Sequence, residues 1–303
     1  MQVSYIEYMR KQLKWTTESS QSEERKKFNW NQAESNLCLD FHGNPVTAKL
    51  IVFSDGNHHM ALEACCQAFL EQHPSIVDIF YATTPPAVIL QSVLQGGLIL
   101  GNLELSLQPD VFISPENILD KLVSNNLMSS HQAFAKSRGN VLLVKKGNPK
   151  NITNITDLLR DDIRLTMSNP VTETASYNVY KQTLLNAAEE QNMDQTAFNK
   201  LIDKNSSQVL FGESIHHREV PQTIFSDQAD VAIVYYHLAL RYTRIFPDDF
   251  ELIEIKSKAN VCTDYHIGLI NNGGEWGQKF LDFMFSNKAS ELYEEHGLKK
   301  IHP

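Results

Sequence analysis

No run of this chain approaches the roughly 18 consecutive apolar residues that a membrane-spanning helix needs, so no membrane span is expected. Positive charge is in deficit: 27 Lys and Arg stand against 36 Asp and Glu, for a formal net charge of -9. That balance, with no long basic stripe, argues against a nucleic-acid partner. It leaves room for a small anionic ligand, because helix dipoles and hydrogen-bond donors beside a site set its local potential. Cysteine is scarce as well. Cys38, Cys65, Cys66 and Cys262 form no C-x-x-C pair, which removes the usual zinc pattern. The strings H-E-x-x-H, G-x-S-x-G and the P-loop are absent, and with them the commonest signatures of metalloprotease, serine hydrolase and nucleotide chemistry. Residues 1–30 carry Lys11, Lys14, Arg25, Lys26 and Lys27 among polar residues without an apolar core, so no signal peptide is read there. The expectation is a cytoplasmic protein as written, or a periplasmic or extracellular one if a leader is missing from the sequence.

What is present describes an ordinary globular chain. At 303 residues, with 42% hydrophobic and 21% charged, it exceeds the usual single-core size, and two lobes are expected. Residues 1–45 are polar and read as an N-terminal arm. From about residue 47, strands alternate with helices, which implies α/β lobes with mostly parallel sheets flanked by helices. Strands are read at Leu50–Phe53, Val77–Tyr81, Asp110–Ile113, Asn140–Val144, Ile163–Met167, Val231–Tyr235 and Cys262–Ile270. Helices are read at Ala87–Gln95, Asn117–Leu127, Thr174–Gln191, Glu275–Phe285 and Lys288–His296, with a further one near Ile155–Arg160.

Residues 50–73 carry the most information. Leu50-Ile51-Val52-Phe53 is a short β-branched and aromatic run, as a buried strand requires. Ser54-Asp55-Gly56-Asn57-His58-His59 then turns the chain, and Leu62, Cys65, Cys66, Phe69 and Leu70 fall on one helical face. His73-Pro74 stops the helix. Cys65 and Cys66, on that apolar stripe, read as small buried thiols rather than a disulfide. A strand–loop–helix unit leaves the first helical N–H groups facing the loop, where an anion is well held. Ligands of such sheets lie beyond the carboxyl ends of the strands, where the loops at Ser54–His59, Thr83–Pro86 and Ser114 would gather.

Several segments in order carry a resemblance. They are Leu50–His59; Gly101-Asn102-Leu103-Glu104 before Pro109–Ile113; Val141–Pro149; Ile163–Pro170; Asp230–Tyr235; and the tail Tyr293-Glu294-Glu295-His296-Gly297-Leu298. Together they resemble the solute-binding proteins of ABC transporters, of the type II periplasmic binding fold and the molybdate/tungstate-binding class. Ile215-His216-His217-Arg218-Glu219-Val220-Pro221 and Thr83-Thr84-Pro85-Pro86 mark a less-characterised branch. The resemblance implies two lobes, residues 46–140 with 263–303 and residues 141–262, joined by two crossover hinge segments near Gly139–Leu143 and Val261–Gly268. It implies a small anion, molybdate-like or organic, held in the cleft for ABC-type uptake without chemistry. Ser54, Gly56, Asn57, His58, Thr83 and Thr84 would line the first lobe. Asn169, Glu173, Thr174 and Ser176 would face them, with His217 or Arg218 as a further contact and Tyr235 closing the pocket. A monomer with an ABC permease as partner is expected, and no cofactor beyond a bound oxyanion or metal.

The pairs His58-His59 and His216-His217, with Glu173 and Glu219 available, offer a second reading: a transition-metal site built on His58 and His216. Against it, adjacent residues on one element point apart, so each pair supplies at most one ligand. A metal-assisted hydrolase on the same scaffold is the third reading.

Overall fold

A computed structural model describes residues 40–84, 86–100, 103–213 and 216–301. Residues 1–39 with Cys38, and Pro85, Gly101, Asn102, Ile215 and the Arg218 side chain, which the sequence reading used, lie outside the described residues. In chain order the first elements are β1 (Asp40–His42), β2 (Ile51–Ser54), a 3-10 turn at Gly56–His58, α1 (His59–Gln72), β3 (Phe80–Thr83) and α2 (Pro86–Gln95). Next come β4 (Leu98–Leu100), β5 (Leu103–Leu105), β6 (Val111–Pro115), α3 (Glu116–Ser124), β7 (Met128–Ser137) and β8 (Asn140–Lys145). A second 3-10 turn, Ile155–Leu159, precedes β9 (Leu165–Met167), α4 (Thr174–Glu190), α5 (Gln195–Leu201), β10 (Val209–Phe211) and α6 (His216–Phe225). The chain closes with β11 (Val231–Tyr235), α7 (Tyr236–Ile245), β12 (Phe250–Glu254), β13 (Asp264–Ile270), α8 (Gly274–Met284), α9 (Asn287–Glu295) and β14 (Leu298–Lys300).

Two compact units divide these elements. The inserted unit is Gly139–Cys262; the outer unit runs to Arg138 and resumes at Thr263. The outer unit is built on a seven-stranded sheet of order β1-β3-β2-β6-β13-β7-β14. One face packs α1, α8 and α9 through Leu62, Phe69, Phe280, Phe283 and Tyr293. The other packs α2 and α3 through Ile89, Val93, Leu119 and Leu122. The inserted unit has a five-stranded sheet of order β10-β9-β11-β8-β12 around one core. Its centre is β11, where all five residues are buried. Each such large side chain taken from water contributes roughly 1.5–3 kcal/mol.

The sheets are mixed rather than mostly parallel. Parallel pairing joins the strands linked by crossover helices, β3-β2-β6 in one unit and β10-β9-β11 in the other. Strands that flank the two crossings between units, β7, β8, β12 and β13, pair antiparallel, as strands without a crossover between them can. At the amino end, β1 pairs with β3 through Asp40↔Thr83, so this part of the stretch read as an arm is an edge strand. Cys65 and Cys66 are free and buried, and burial pushes the Cys65 thiol up to about 12. Both stay protonated packing groups.

Two local devices belong to the inserted unit. Gly139 has a φ of +86°, and a Cβ there would meet Asn260 Cγ at 2.7 Å. Asn260 fills that space and ties the unit's two ends: Asn140 N–H donates to its Oδ1 at 2.8 Å, and its Nδ2 donates to the Asn140 carbonyl at 2.7 Å. The second device answers Pro221, which sits inside α6 and lacks the N–H that would bond the His217 carbonyl one turn back. The hydroxyl of buried Tyr242 donates to that carbonyl instead.

Candidate functional site

In the outer unit the parallel register sets Ser54 beside Thr83 on one side and Ile113 on the other, so β2 and β3 end level while β6 runs two residues further, to Pro115. The backbone continues that edge one residue further: Thr84 N–H donates to the Ser54 carbonyl and Asp55 N–H to the Ile113 carbonyl, each at 3.1 Å. Three helices start from this edge, α1 after its 3-10 turn, α2 at Pro86 and α3 at Glu116. Ser54, Asp55, Gly56, His58, Thr83, Thr84 and Ser114 are all buried there. Among the described residues, the hydroxyls of Thr83, Thr84 and Ser114 have no hydrogen-bond partner. A buried polar group left unpaired costs about 1–3 kcal/mol, so three at one edge are a costly concentration of unsatisfied hydroxyls.

The expectation of open N–H groups at the start of this helix needs correction at Asn57. Its N–H donates to Asp55 Oδ1 at 2.9 Å, so the chain caps its own turn. His58 lies behind the loop. Its Nδ1 meets the Tyr293 hydroxyl at 3.0 Å, and its Nε2 lies 3.3 Å from Ser54 Oγ and 3.5 Å from Asp55 Oδ2. The ring is walled by Tyr265, Tyr293 and Phe134.

The inserted unit repeats the plan, with β9, β10 and β11 ending toward Ser168, Gly212 and Tyr235. Ser168 is fully buried, and its hydroxyl has no partner among the described residues. Asn169 staples two strand ends, donating to the Gly212 carbonyl at 2.8 Å and accepting the N–H of Val171 at 2.8 Å. Thr174 Oγ1 donates to the Pro170 carbonyl, and Ser176 Oγ to that of Glu173. Both Glu173 carboxylate oxygens are engaged by His216, Oε2 by its N–H at 2.8 Å and Oε1 by Nδ1 at 2.7 Å. His216 Nε2 meets the Tyr180 hydroxyl at 2.8 Å, and Tyr180 in turn accepts the Tyr235 N–H at 3.3 Å. Tyr235 is buried, with its ring stacked on His237 and edge-on to Tyr180. His217 is half-buried at the start of α6. Burial pushes the Tyr180 and Tyr293 phenols well up, so both remain hydrogen-bond donors.

The structure therefore brings Ser54, Gly56, Asn57, His58, Thr83 and Thr84 together in one unit, and links Asn169, Glu173, Ser176 and Tyr235 in the other. Glu173 is committed to His216 rather than open to a ligand. The metal reading of His58 and His216 meets a physical objection: both nitrogens of each ring already have protein partners. Among the described residues, no group of three or more His, Cys, Asp or Glu is arranged to hold a metal ion. Sequence reasoning passed over Asp55 and Ser168, which stood inside the loops it quoted, and Tyr180 and Tyr293, which no local pattern flags.

Mixed α/β units of this kind define the two-lobed periplasmic binding protein fold. Solved structures share it. The periplasmic molybdate-binding protein of Azotobacter vinelandii aligns with a TM-score of 0.59 at 15% identity, over 84% of this chain and 100% of that one. The sulfate-binding protein SubI of Mycobacterium tuberculosis aligns at 0.62 and 19%, over 84% and 87%. Peb3 of Campylobacter jejuni aligns at 0.60 and 15%, over 84% and 100%. By sequence, no functionally curated protein is similar to this chain. The family model for bacterial extracellular solute-binding proteins matches residues 50–299, and the chain belongs to that family.

Proposed function

We propose that this protein captures a small anion, an inorganic oxyanion or a small organic acid, for ABC-type uptake, outside the cytoplasm and without chemistry. The observation that carries the reading is the row of buried, unpartnered hydroxyls of Thr83, Thr84 and Ser114 where three helices begin. Hydroxyls and helix starts suit an anion stripped of water, because they supply donors without a full countercharge. Fold neighbours are consistent with this chemistry: one binds molybdate, one sulfate, and PEB3 has been solved with L-phospholactate bound. Family membership supports binding rather than turnover.

Ser54, Gly56, Asn57, His58, Thr83 and Thr84 form one proposed set. Asn169, Thr174, Ser176, His217, Arg218 and Tyr235 form the other, with Glu173 acting through His216. Micromolar capture corresponds to about -8 kcal/mol. A single helix end gives roughly 0.3–1 kcal/mol, so both sets are expected to contribute. The test is a thermal-shift and calorimetric panel of molybdate, sulfate, phosphate and phosphorylated small acids. One of them should raise the melting temperature and be recovered unchanged. Substitutions in either set should weaken binding of that same compound. Consumption of the compound, or no shift with any anion, refutes the reading.

A further inference from the structure

Each unit carries the same three-part arrangement at its strand-to-helix edge: a carboxylate, an imidazole and a buried phenol. The outer unit has Asp55, His58 and Tyr293, the inserted unit Glu173, His216 and Tyr180. The phenols come from far along the chain, Tyr293 from 235 positions beyond His58 and Tyr180 from 36 before His216. Neither arrangement follows from local sequence, yet both converge on the loops that carry the proposed ligand groups.

Proton direction fixes what each ring must be. In the inserted unit the Tyr235 N–H occupies the Tyr180 oxygen as a donor, so the Tyr180 O–H turns to His216 Nε2. Nε2 accepts, and the ring proton sits on Nδ1, where it meets the Glu173 carboxylate. In the outer unit the order is reversed. Tyr293 faces Nδ1, while Nε2 lies 3.3 Å from Ser54 Oγ, whose own proton goes to the Asp55 carbonyl at 3.1 Å and whose oxygen is therefore the acceptor; Asp55 Oδ2, at 3.5 Å, adds negative charge on that side without a hydrogen bond. That arrangement places the ring proton of His58 on Nε2.

We propose that His58 and His216 are positioning residues, each fixed in one tautomer and each locking the anion-site loop of its own unit. His58 ties the Ser54–His58 loop to α9 through Tyr293, and His216 ties the start of α4 to the start of α6 through Glu173. The inference rests on the proposed anion site for its purpose, but not for its geometry. A loop held in place before the ligand arrives loses less freedom on binding.

The decisive experiment uses the full-length protein without ligand. Nitrogen-15 imidazole spectra, assigned with Tyr293→Phe and Tyr180→Phe, should give a proton on Nε2 for His58 and on Nδ1 for His216. Each Phe variant removes one oxygen and keeps the ring packing; Tyr293→Phe loses the bond to His58, Tyr180→Phe loses the bond to His216 and also the acceptor of the Tyr235 N–H, and each should raise amide exchange about tenfold or more in its own unit's loop and not in the other unit's. His216→Gln, which retains a donor and an acceptor, should keep more loop protection than His216→Leu. Rings that exchange freely between tautomers, or loops whose exchange ignores all these variants, overturn the proposal. With molybdate, sulfate and phosphate as probes, the Phe variants should weaken binding about tenfold by the same arithmetic. If the wild type binds none of them while the tautomers and exchange come out as stated, the anion reading fails and the locking stands.

Discussion

Replacing Tyr242 with Phe removes one oxygen from the core of the inserted unit and leaves the ring on Phe250 in place. The oxygen matters because of Pro221. Without an N–H at position 221, the His217 carbonyl loses the donor that an uninterrupted helix would supply four residues on, and the Tyr242 hydroxyl stands in for it. Taking this donor from a part-buried carbonyl costs about 1–3 kcal/mol. Urea denaturation of Tyr242→Phe should therefore show a loss of that size with an unchanged slope. The mechanism makes a sharper demand. Pro221→Ala restores an N–H one turn above His217, so in that background Tyr242→Phe should cost less than about 1 kcal/mol, the helix now supplying the bond. Equal losses in the two backgrounds would refute the reasoning and reduce Tyr242 to a packing group.

Other outcomes follow from the same geometry. Gly139→Ala should destabilise by about 2–4 kcal/mol, from left-handed backbone strain and from displacing Asn260 off Asn140, and less than half of that should remain in an Asn260→Ala background. Chemical denaturation of the four proteins reads the coupling directly. Thr84→Val removes a buried hydroxyl that has no partner among the described residues, so it should hold or raise the ligand-free melting temperature while weakening anion binding. A large loss of stability without ligand would make Thr84 structural. His266 titrates low because of burial and the adjacent His131, against the opposite pull of Glu116, Asp264 and Asp120. A depressed imidazole contributes stability that is complete above about pH 6.5 and is lost as pH falls through the lowered value. Melting temperatures between pH 8 and 5 should therefore fall more steeply for the wild type than for His266→Gln; parallel curves would remove His266 from the account.

Much of the fold was legible because apolar runs and turn residues punctuate it. β11 is read residue for residue from Val231-Ala232-Ile233-Val234-Tyr235, and α4 differs from its reading by a single residue at the end. The ten-residue β7 escaped because only its ends and a few inner positions are buried, so Ser129-Ser130-His131-Gln132 look like loop. α6 escaped because Pro221 and two leading histidines imitate a break. The site followed the same division. Ser54 and Thr83 close buried strands and Thr84 follows one, and the order of strand, loop and helix makes them legible. The groups that hold those loops come from Tyr180 and Tyr293, and sequence carries no distance between residues so far apart.

The reciprocal bonds between Asn140 and Asn260 have a partner motif across each crossing point of the chain. Ser137 N–H donates to the Thr263 carbonyl, and Thr263 N–H returns to Ser137 Oγ, both at 2.8 Å. Entry and exit of the inserted segment are thus stitched together twice, each time within a single unit. An excised polypeptide of residues 139–262 would begin and finish at neighbouring points, and a short splice from Arg138 to Thr263 would reclose what remains. Expressing the two pieces separately is the check on this: each should give its own cooperative melting transition, and a piece that stays unfolded would show that the junction bonds are not enough.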